Sequence, residues 1–145
     1  MKWVTREKAK VDRIVCPWLI KNFIDKEAEF LYVPADQVLS VAEKEGAISF
    51  DAPSAKFTHT EDGKCTFEVL VEHYKITDPA IQKLAKVVHG ADVPKDIAIT
   101  PESAGLQTIA EGFRIISKDD HENIKKQFAV YDALYAYFKN HAESL

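Results

Sequence analysis

The sequence predicts one helix-rich α+β domain over residues 1–145, with about six helices and a small β-sheet. A length of 145 residues suits one domain with a buried core. Several segments repeat apolar residues at the three- and four-residue spacing of amphipathic helices, whereas only three short segments resemble strands. Because no repeat, low-complexity segment or linker divides the chain, we expect all of these elements to share one core.

The three predicted strands are short and rich in aromatic and β-branched residues. They comprise residues 3–5, 29–33 and 47–50. Pro34 directly follows the second of them, and proline suits the end of a strand because it lacks the N–H group that a sheet needs. Residues 51–64 contain Pro53 and an Asp-Gly pair, so they are predicted to form a loop.

Two helices are predicted in the first third of the chain. The first covers residues 12–25, and its regular part is expected to begin near Pro17, with Cys16 at its cap. Proline favours this start because it is tolerated only in the first turn of a helix. The second covers residues 36–45 and is expected to end at Gly46, since glycine readily adopts a left-handed conformation.

Three further helices are predicted between residues 66 and 116. Thr66 is expected to cap the first, and each of the others begins where a capping residue precedes Pro79 or Pro101. Gly90 is expected to end the helix that starts at Pro79. The inward residues of the helix after Pro101 are predicted to be Leu106, Ile109, Phe113 and Ile116.

The last predicted helix runs from Lys118 to about His141 and completes the domain. Ser117 and Asp120 are expected to form a capping pair at its start. Apolar residues then recur at helical spacing. On that pattern His121 is expected to point inward with the apolar stripe, where a histidine needs a partner.

The charge and the terminal sequence exclude several classes of protein. A net charge of −4 and a pI of about 5.7 argue against a broad nucleic-acid surface, so no specific DNA binding is expected. No run approaches the roughly 18 apolar residues of a membrane span, and no signal core is present. The two cysteines, Cys16 and Cys65, do not form a Cys-x-x-Cys pair, which favours a reducing cytoplasm.

Five residues are candidate metal ligands: His59, Glu68 and His121 are predicted to hold one ion together, with Asp120 or Glu122 as a further ligand or as support for the ligands. The first lies in the predicted loop, the second at the edge of the next helix's apolar stripe, and the others in the first turn of the last helix. Imidazole nitrogens and carboxylate oxygens together suit zinc, iron or manganese, so a divalent metal cofactor is predicted. The alternative is an ordinary acid-rich first turn that complements the helix dipole.

Four other residues are chemical candidates. Arg6 and Arg13 can bind an oxyanion by paired hydrogen bonds, or else form a solvated basic face. Cys16 is a candidate reactive thiol at a helix start, although a small buried side chain is the favoured interpretation. Asp92 is interpreted as a turn residue or an additional ligand.

Eight motifs resemble those of the ChrB-type chromate-resistance family and cover nearly the whole chain. They are WVTR (3–6), KVDRIVCPWLI (10–20), FLYVPA (30–35), CTFE (65–68), GAD (90–92), SAGL (103–106), DDHE (119–122) and YDALY (131–135). In that family, the module is commonly the C-terminal part of a longer chromate-responsive regulator, or it is joined to a rhodanese-like domain. We expect the module to stand alone here, so DNA-binding regulation is not carried over to it.

The resemblance and the candidate residues together predict a cytoplasmic, metal- and oxyanion-responsive domain of the chromate stress response. Its ligand is expected to be a small inorganic oxyanion or another small molecule, and assembly into a homo-oligomer is compatible with the sequence. The first alternative is a small metalloenzyme or thiol redox enzyme that acts on a small substrate. The second is an interaction module whose polar clusters are structural.

Overall fold

The computed structural model describes residues 1–141 and confirms the predicted helix-rich α+β fold. Six α-helices accompany three short strands within the described residues. The strands are β1 (Lys2–Arg6), β2 (Glu29–Val33) and β3 (Ile48–Ser49). The helices are α1 (Asp12–Leu19), α2 (Val38–Glu45), α3 (Thr66–His73), α4 (Pro79–Asp92), α5 (Pro101–Ile116) and α6 (Asp120–Asn140).

The three strands form a parallel sheet in the order β2-β1-β3. Trp3 in the central strand is aligned with Phe30 on one side and with Ile48 on the other. The second predicted strand has the observed bounds, whereas the third is shorter than predicted. Gly46 ends α2 in a left-handed conformation (φ 64°), as its sequence position predicts.

The helices pack around α4, which contacts α1, α3, α5 and α6. The largest fully buried side chains include Trp3, Trp18, Phe50, Phe67 and Tyr131, so aromatic residues fill much of the core. The Trp18 indole N–H donates to the Asp132 carboxylate at 2.8 Å. Among residues 1–141, no helix combines the length and the apolar composition that crossing a bilayer requires.

Pro17 does not start α1, which is a correction to the sequence analysis. The helix begins at Asp12, contains Pro17 within it, and continues as a π-helical turn over Ile20–Ile24. A proline at this position leaves the Arg13 carbonyl without its usual helical donor, because that donor is the N–H four residues later. The Tyr32 hydroxyl donates to this carbonyl instead. A side chain from β2 therefore compensates for the hydrogen bond that Pro17 cannot make.

Gly90 does not end its helix either, since α4 continues to Asp92. The residue is buried where α4 packs against α5. A Cβ atom built at Gly90 would lie 2.7 Å from both Ser103 Cβ and Ile99 Cγ2, closer than real Cβ atoms approach. Glycine is therefore required here for close packing of the two helices. Gly90, which the sequence analysis interpreted as a helix end, is instead a point of helix contact.

The Gly90→Ala change is expected to lower the free energy of unfolding by about 1–3 kcal/mol because it overpacks this contact. The matched control is Gly105→Ala in α5, where no atom lies within 4 Å of the added Cβ. That control is expected to raise the free energy by roughly 0.5–1 kcal/mol, since alanine favours helix formation. Urea unfolding of both variants measures the difference, and a neutral or stabilising Gly90→Ala would contradict the packing argument.

Helix boundaries and faces also differ at α3, α5 and α6. Thr66 is the first residue of α3 rather than its cap, and Asp119 rather than Ser117 caps α6. In α5, Leu106 is buried as predicted. Ile109 and Ile116, also predicted to point inward, are 46% and 64% exposed. The error arises because α5 buries only a narrow stripe of its apolar surface.

Candidate metal centre

Four side chains meet at one edge of the core and are named here the aspartate–histidine cluster: Asp12, Asp51, His59 and Asp92. The His59 Nε2 atom lies 3.2 Å from Asp12 Oδ2, 3.3 Å from Asp51 Oδ1 and 3.0 Å from Asp92 Oδ2. Asp12 and Asp51 are buried, whereas 42% of the His59 side chain is exposed. The cluster is therefore closed towards the core and open to solvent beside His59.

Each member of the cluster comes from a different part of the fold. Asp12 is the first residue of α1, and Asp92 is the last residue of α4. Asp51 follows β3 in a left-handed conformation (φ 49°), which aspartate tolerates better than most residues. The Asp51 N–H donates to the Phe57 carbonyl at 2.7 Å and so closes the turn that leads to His59.

The N-terminus of α3 faces the same cluster. The backbone N–H groups of Thr66 and Phe67 donate to the Asp12 carboxylate at 2.9 and 3.2 Å. The Thr66 hydroxyl donates to Asp51 Oδ1 at 2.7 Å. The first N–H groups of a helix have no partner within the helix, and a carboxylate there also complements the helix dipole. Asp12 therefore connects the starts of α1 and α3.

Arg6 and Arg13, predicted to bind an oxyanion, both contact Asp51. Arg6 Nε donates to the Asp51 carbonyl at 2.9 Å, and Arg6 Nη2 lies 3.7 Å from Asp51 Oδ2. Arg13 Nη1 lies 3.3 Å from the same carboxylate oxygen. An aspartate of the chain thus occupies the guanidinium groups expected to hold an anion. Their positive charges nevertheless remain beside the cluster, and anion binding by them stays a prediction.

The concentration of charge shifts the pKa values within the cluster. Hydrogen bonds with Asp12, Asp51 and Asp92 raise the pKa of His59 from 6.5 to about 12. Burial, reinforced by the negative charge of Asp92, raises the pKa of Asp12 from 3.8 to about 7. Burial opposes ionisation of Asp51 too, but the hydrogen bond from His59 and the charge of Arg13 outweigh it and lower the pKa. The carboxylates therefore favour a cation between them.

The residues present fit a resident divalent ion. One ligand atom each from Asp12, His59 and Asp92 lies within 4.8 Å of the others, a spacing at which one ion can contact all three. A nitrogen ligand with carboxylate oxygens suits zinc, iron or manganese. The helix N–H groups that bond to Asp12 also orient it, as surrounding donors commonly do for carboxylates that bind metals.

The structure distributes the predicted ligands over different places. His59 belongs to the aspartate–histidine cluster, whereas Glu68 lies beside Cys65 and His89. Among residues 1–141, His121 belongs to neither of these two groups of potential ligands.

His121 is exposed, and its ring meets the edge of the Tyr32 ring with a centroid distance of 5.7 Å. The prediction that it points inward is therefore wrong. In the first turns of α6, the buried positions belong instead to Asn123 and Gln127. The apolar spacing later in α6 does not extend to its first turn, because polar side chains occupy the buried side there.

Asp120 and Glu122 make contacts near the start of α6. The Asp120 carboxylate accepts the N–H groups of Lys8 and Ala9 at 2.9 and 2.7 Å. Glu122 pairs with Lys126 at 3.0 Å, one helical turn later. These contacts agree with the alternative interpretation of an acid-rich first turn that stabilises its surroundings.

Cys16 lies in the middle of α1 rather than at a helix start, and it is fully buried. Its Sγ atom lies 3.7 Å from the Asp12 carboxylate. Burial, followed by the negative charges of Asp12 and Asp51, raises the pKa of the Cys16 thiol well above its ordinary value. Because the thiolate is the reactive form, these surroundings favour the buried alternative over a reactive thiol.

Two residues of the cluster, Asp12 and Asp51, are absent from the ligands predicted from the sequence. Asp12 resembles an ordinary acidic residue in the first turn of a helix. Asp51 directly follows the third predicted strand, and ligand-binding residues often gather beyond the carboxyl ends of parallel strands. Asp51 could therefore have been predicted as a candidate from its position after this strand. Asp92, interpreted as a turn residue or an additional ligand, does belong to the cluster.

Comparisons with known proteins identify the family. The family model described as the ChrB C-terminal domain matches residues 3–138. Protein ChrB of Cupriavidus metallidurans is 32% identical over 142 residues, which make up 96% of this chain and 41% of that protein. The chain therefore spans less than half the length of that relative, and no solved structure matches it. Since the family model covers nearly the entire sequence, the chain belongs to the family of ChrB C-terminal domains.

Proposed function

We propose that this chain is a chromate-resistance-related domain that binds one divalent metal ion between Asp12, His59 and Asp92 and responds to a small oxyanion there. Membership of the ChrB family supports the chromate-resistance-related role. One observation carries the metal proposal: oxygen atoms of three aspartates converge on a single nitrogen of His59 at 3.0–3.3 Å. One N–H group cannot donate well to three oxygens, whereas one metal ion can bind several ligands at once.

The charge balance of the cluster supports a response to an anion. When all three aspartates are ionised, their charge is balanced by Arg6, Arg13 and a protonated His59. A divalent ion that binds His59 displaces its Nε2 proton, so the same group of side chains then has one net positive charge. A chromate ion is attracted to this charge and can occupy a coordination position on the solvent side. Metal binding would thus prepare the site for the oxyanion.

The thiol redox alternative has less support than the metal proposal. It requires an accessible thiolate, whereas Cys16 and Cys65 are both buried and burial raises the pKa of each thiol. The aspartate–histidine cluster, by contrast, is accessible from solvent beside His59. The proposed domain therefore uses coordination of an ion rather than oxidation of a cysteine.

Protein purified without an affinity tag is expected to bind one equivalent of Mn²⁺ at this cluster. His59→Ala and Asp92→Asn remove a proposed ligand each and are expected to weaken Mn²⁺ binding by at least about 100-fold. His121→Ala, at the exposed start of α6, serves as the matched control and is expected to bind as the wild type does. Isothermal titration calorimetry, with metal content checked by mass spectrometry, measures the result.

The same proteins test the oxyanion response. Chromate is expected to bind the Mn²⁺-loaded wild type more tightly than the chelator-treated protein, and sulfate tests whether any divalent oxyanion suffices. Unchanged Mn²⁺ binding in both His59→Ala and Asp92→Asn would contradict the metal site. Equal chromate affinity with and without Mn²⁺ would contradict the coupling between the metal and the anion.

A further inference from the structure

A second group of potential ligands lies between the start of α3 and the last turn of α4 and is named here the thiol–imidazole cluster: Cys65, Glu68 and His89. One ligand atom from each residue lies within 4.8 Å of the other two. His89 Nδ1 is 2.6 Å from Glu68 Oε1, and the same oxygen accepts the Cys65 N–H at 2.9 Å. A cysteine that only filled space would have apolar neighbours, whereas this buried sulfur lies beside a carboxylate and an imidazole.

Asp96 provides independent support for a ligand at this position. Its Oδ2 atom lies 2.7 Å from His89 Nε2, on the opposite side of the ring from Glu68. Histidines that bind metals usually donate their other ring N–H to a carboxylate, which fixes the tautomer and the orientation of the ring. In the metal-free protein a proton on Nδ1 donates to Glu68. When an ion replaces this proton, the Nε2 N–H still donates to Asp96 while the Nδ1 lone pair is directed towards Cys65 and Glu68.

We propose that Cys65, Glu68 and His89 bind a second divalent ion, of the borderline-soft class to which Zn²⁺ and Co²⁺ belong. Thiolate, imidazole and carboxylate are all established ligands of zinc, and three protein ligands leave one position for water or a substrate. The aspartate–histidine cluster contains no sulfur and favours a harder ion. The two clusters would therefore differ in the metal that each prefers.

Binding at the thiol–imidazole cluster releases protons but transfers no electrons. The ion takes the place of the Cys65 thiol proton and of any proton on His89 Nδ1, and these protons pass to solvent. Glu68 accepts a hydrogen bond from the Cys65 N–H and so remains oriented towards the same point. Asp96 acts through His89 and is a positioning residue.

The two clusters have no ligand in common, although both are built on the start of α3 and the end of α4. Cys65 and Glu68 flank Thr66, whose hydroxyl donates to Asp51 in the first cluster. His89 and Asp92 are three residues apart on α4, so their side chains are neighbours along that helix. The second site does not depend on the proposed function, because loss of either ion leaves the ligands of the other in place.

Titration of the chelator-treated protein with Co²⁺ tests this proposal. The wild type is expected to develop the near-ultraviolet charge-transfer absorption of a thiolate bound to Co²⁺. Cys65→Ser is expected to lose this absorption and one equivalent of Co²⁺, yet to retain Mn²⁺ binding at the aspartate–histidine cluster. That retained Mn²⁺ binding shows that the variant is folded. Asp92→Asn is expected to show the reverse pattern, with the absorption kept.

Two further variants test which thiol binds the Co²⁺ ion and whether Asp96 supports His89. Cys16→Ala is the control for the other buried thiol and is expected to keep the absorption unchanged. Asp96→Asn is expected to lower Co²⁺ affinity by about 10- to 100-fold while reaching the same absorption at saturation. No thiolate absorption in the Co²⁺-saturated wild type, or full absorption in Cys65→Ser, would overturn the second site whatever the outcome at the first.

Discussion

Asp12→Ala is expected to lower the free energy of unfolding by about 3 kcal/mol, because the aspartate accepts two N–H groups inside the core. Both donors, from Thr66 and Phe67, belong to fully buried residues at the start of α3. Each unsatisfied buried donor costs about 1–3 kcal/mol. Relief of the repulsion between Asp12 and the other aspartates offsets part of this loss. Urea unfolding in the presence of chelator measures the change without any contribution from bound metal.

Asp120→Ala is the matched control for this change. Its carboxylate also accepts two backbone N–H groups from a distant segment, those of Lys8 and Ala9. Asp120 is only half-buried, so water can replace its hydrogen bonds and the expected loss is about 1 kcal/mol. Equal losses in the two variants would show that burial of the α3 start contributes little to the effect of Asp12.

His59→Gln is expected to destabilise the metal-free protein by about 1–2 kcal/mol near pH 7, a value reduced for the partial exposure of His59. The variant removes a positive charge from among three carboxylates. His59 has a folded pKa of about 12 against 6.5 for the free side chain. The unfolded chain loses this proton above about pH 6.5, so the contribution of the charge declines progressively as the pH rises from there towards 12.

Below about pH 7, the effect of His59→Gln on stability depends on the ionisation of Asp12. Its pKa is raised from 3.8 to about 7, so ionisation between these values costs the folded state more than the unfolded state. Without His59 this cost increases, and the difference between wild type and variant is expected to grow from pH 4 towards pH 7. Unfolding measured in chelator across this range tests the profile, with His121→Gln as the control. A difference that does not vary between pH 4 and pH 7 would contradict the coupling between the His59 charge and the ionisation of Asp12.

Short-range signals explain most of the successful predictions. The bounds of β2 follow from its aromatic and β-branched residues and from Pro34, and the end of α2 follows from Gly46. Gly90 and Pro17 show where such signals fail. Gly90 is required by contact with α5, and a hydroxyl group from β2 compensates for Pro17. Both causes lie outside the helix concerned, so a pattern within that helix does not reveal them.

The candidate metal site shows the same limit. The sequence predicts His59 and Glu68 as candidate ligands of one ion. The structure places them in two different groups of potential ligands. Asp12 and Asp92 are 80 residues apart, and only the packing of α1 against α4 brings them near each other. No spacing rule connects residues so distant in sequence. The sequence therefore identifies His59 as a candidate ligand, whereas its neighbours in the cluster depend on the tertiary structure.

The central position of β1 has a consequence for the order of folding. The strand is first in the sequence, yet both of its neighbours, β2 and β3, are made later during synthesis. Parallel pairing requires closure of long loops, which slows folding relative to local helix contacts. Asp92 follows later still, so a metal site of the proposed kind would form only after α4 has left the ribosome. Acquisition of the ion would then report assembly of the sheet with α1, α3 and α4, before α5 and α6 complete the domain.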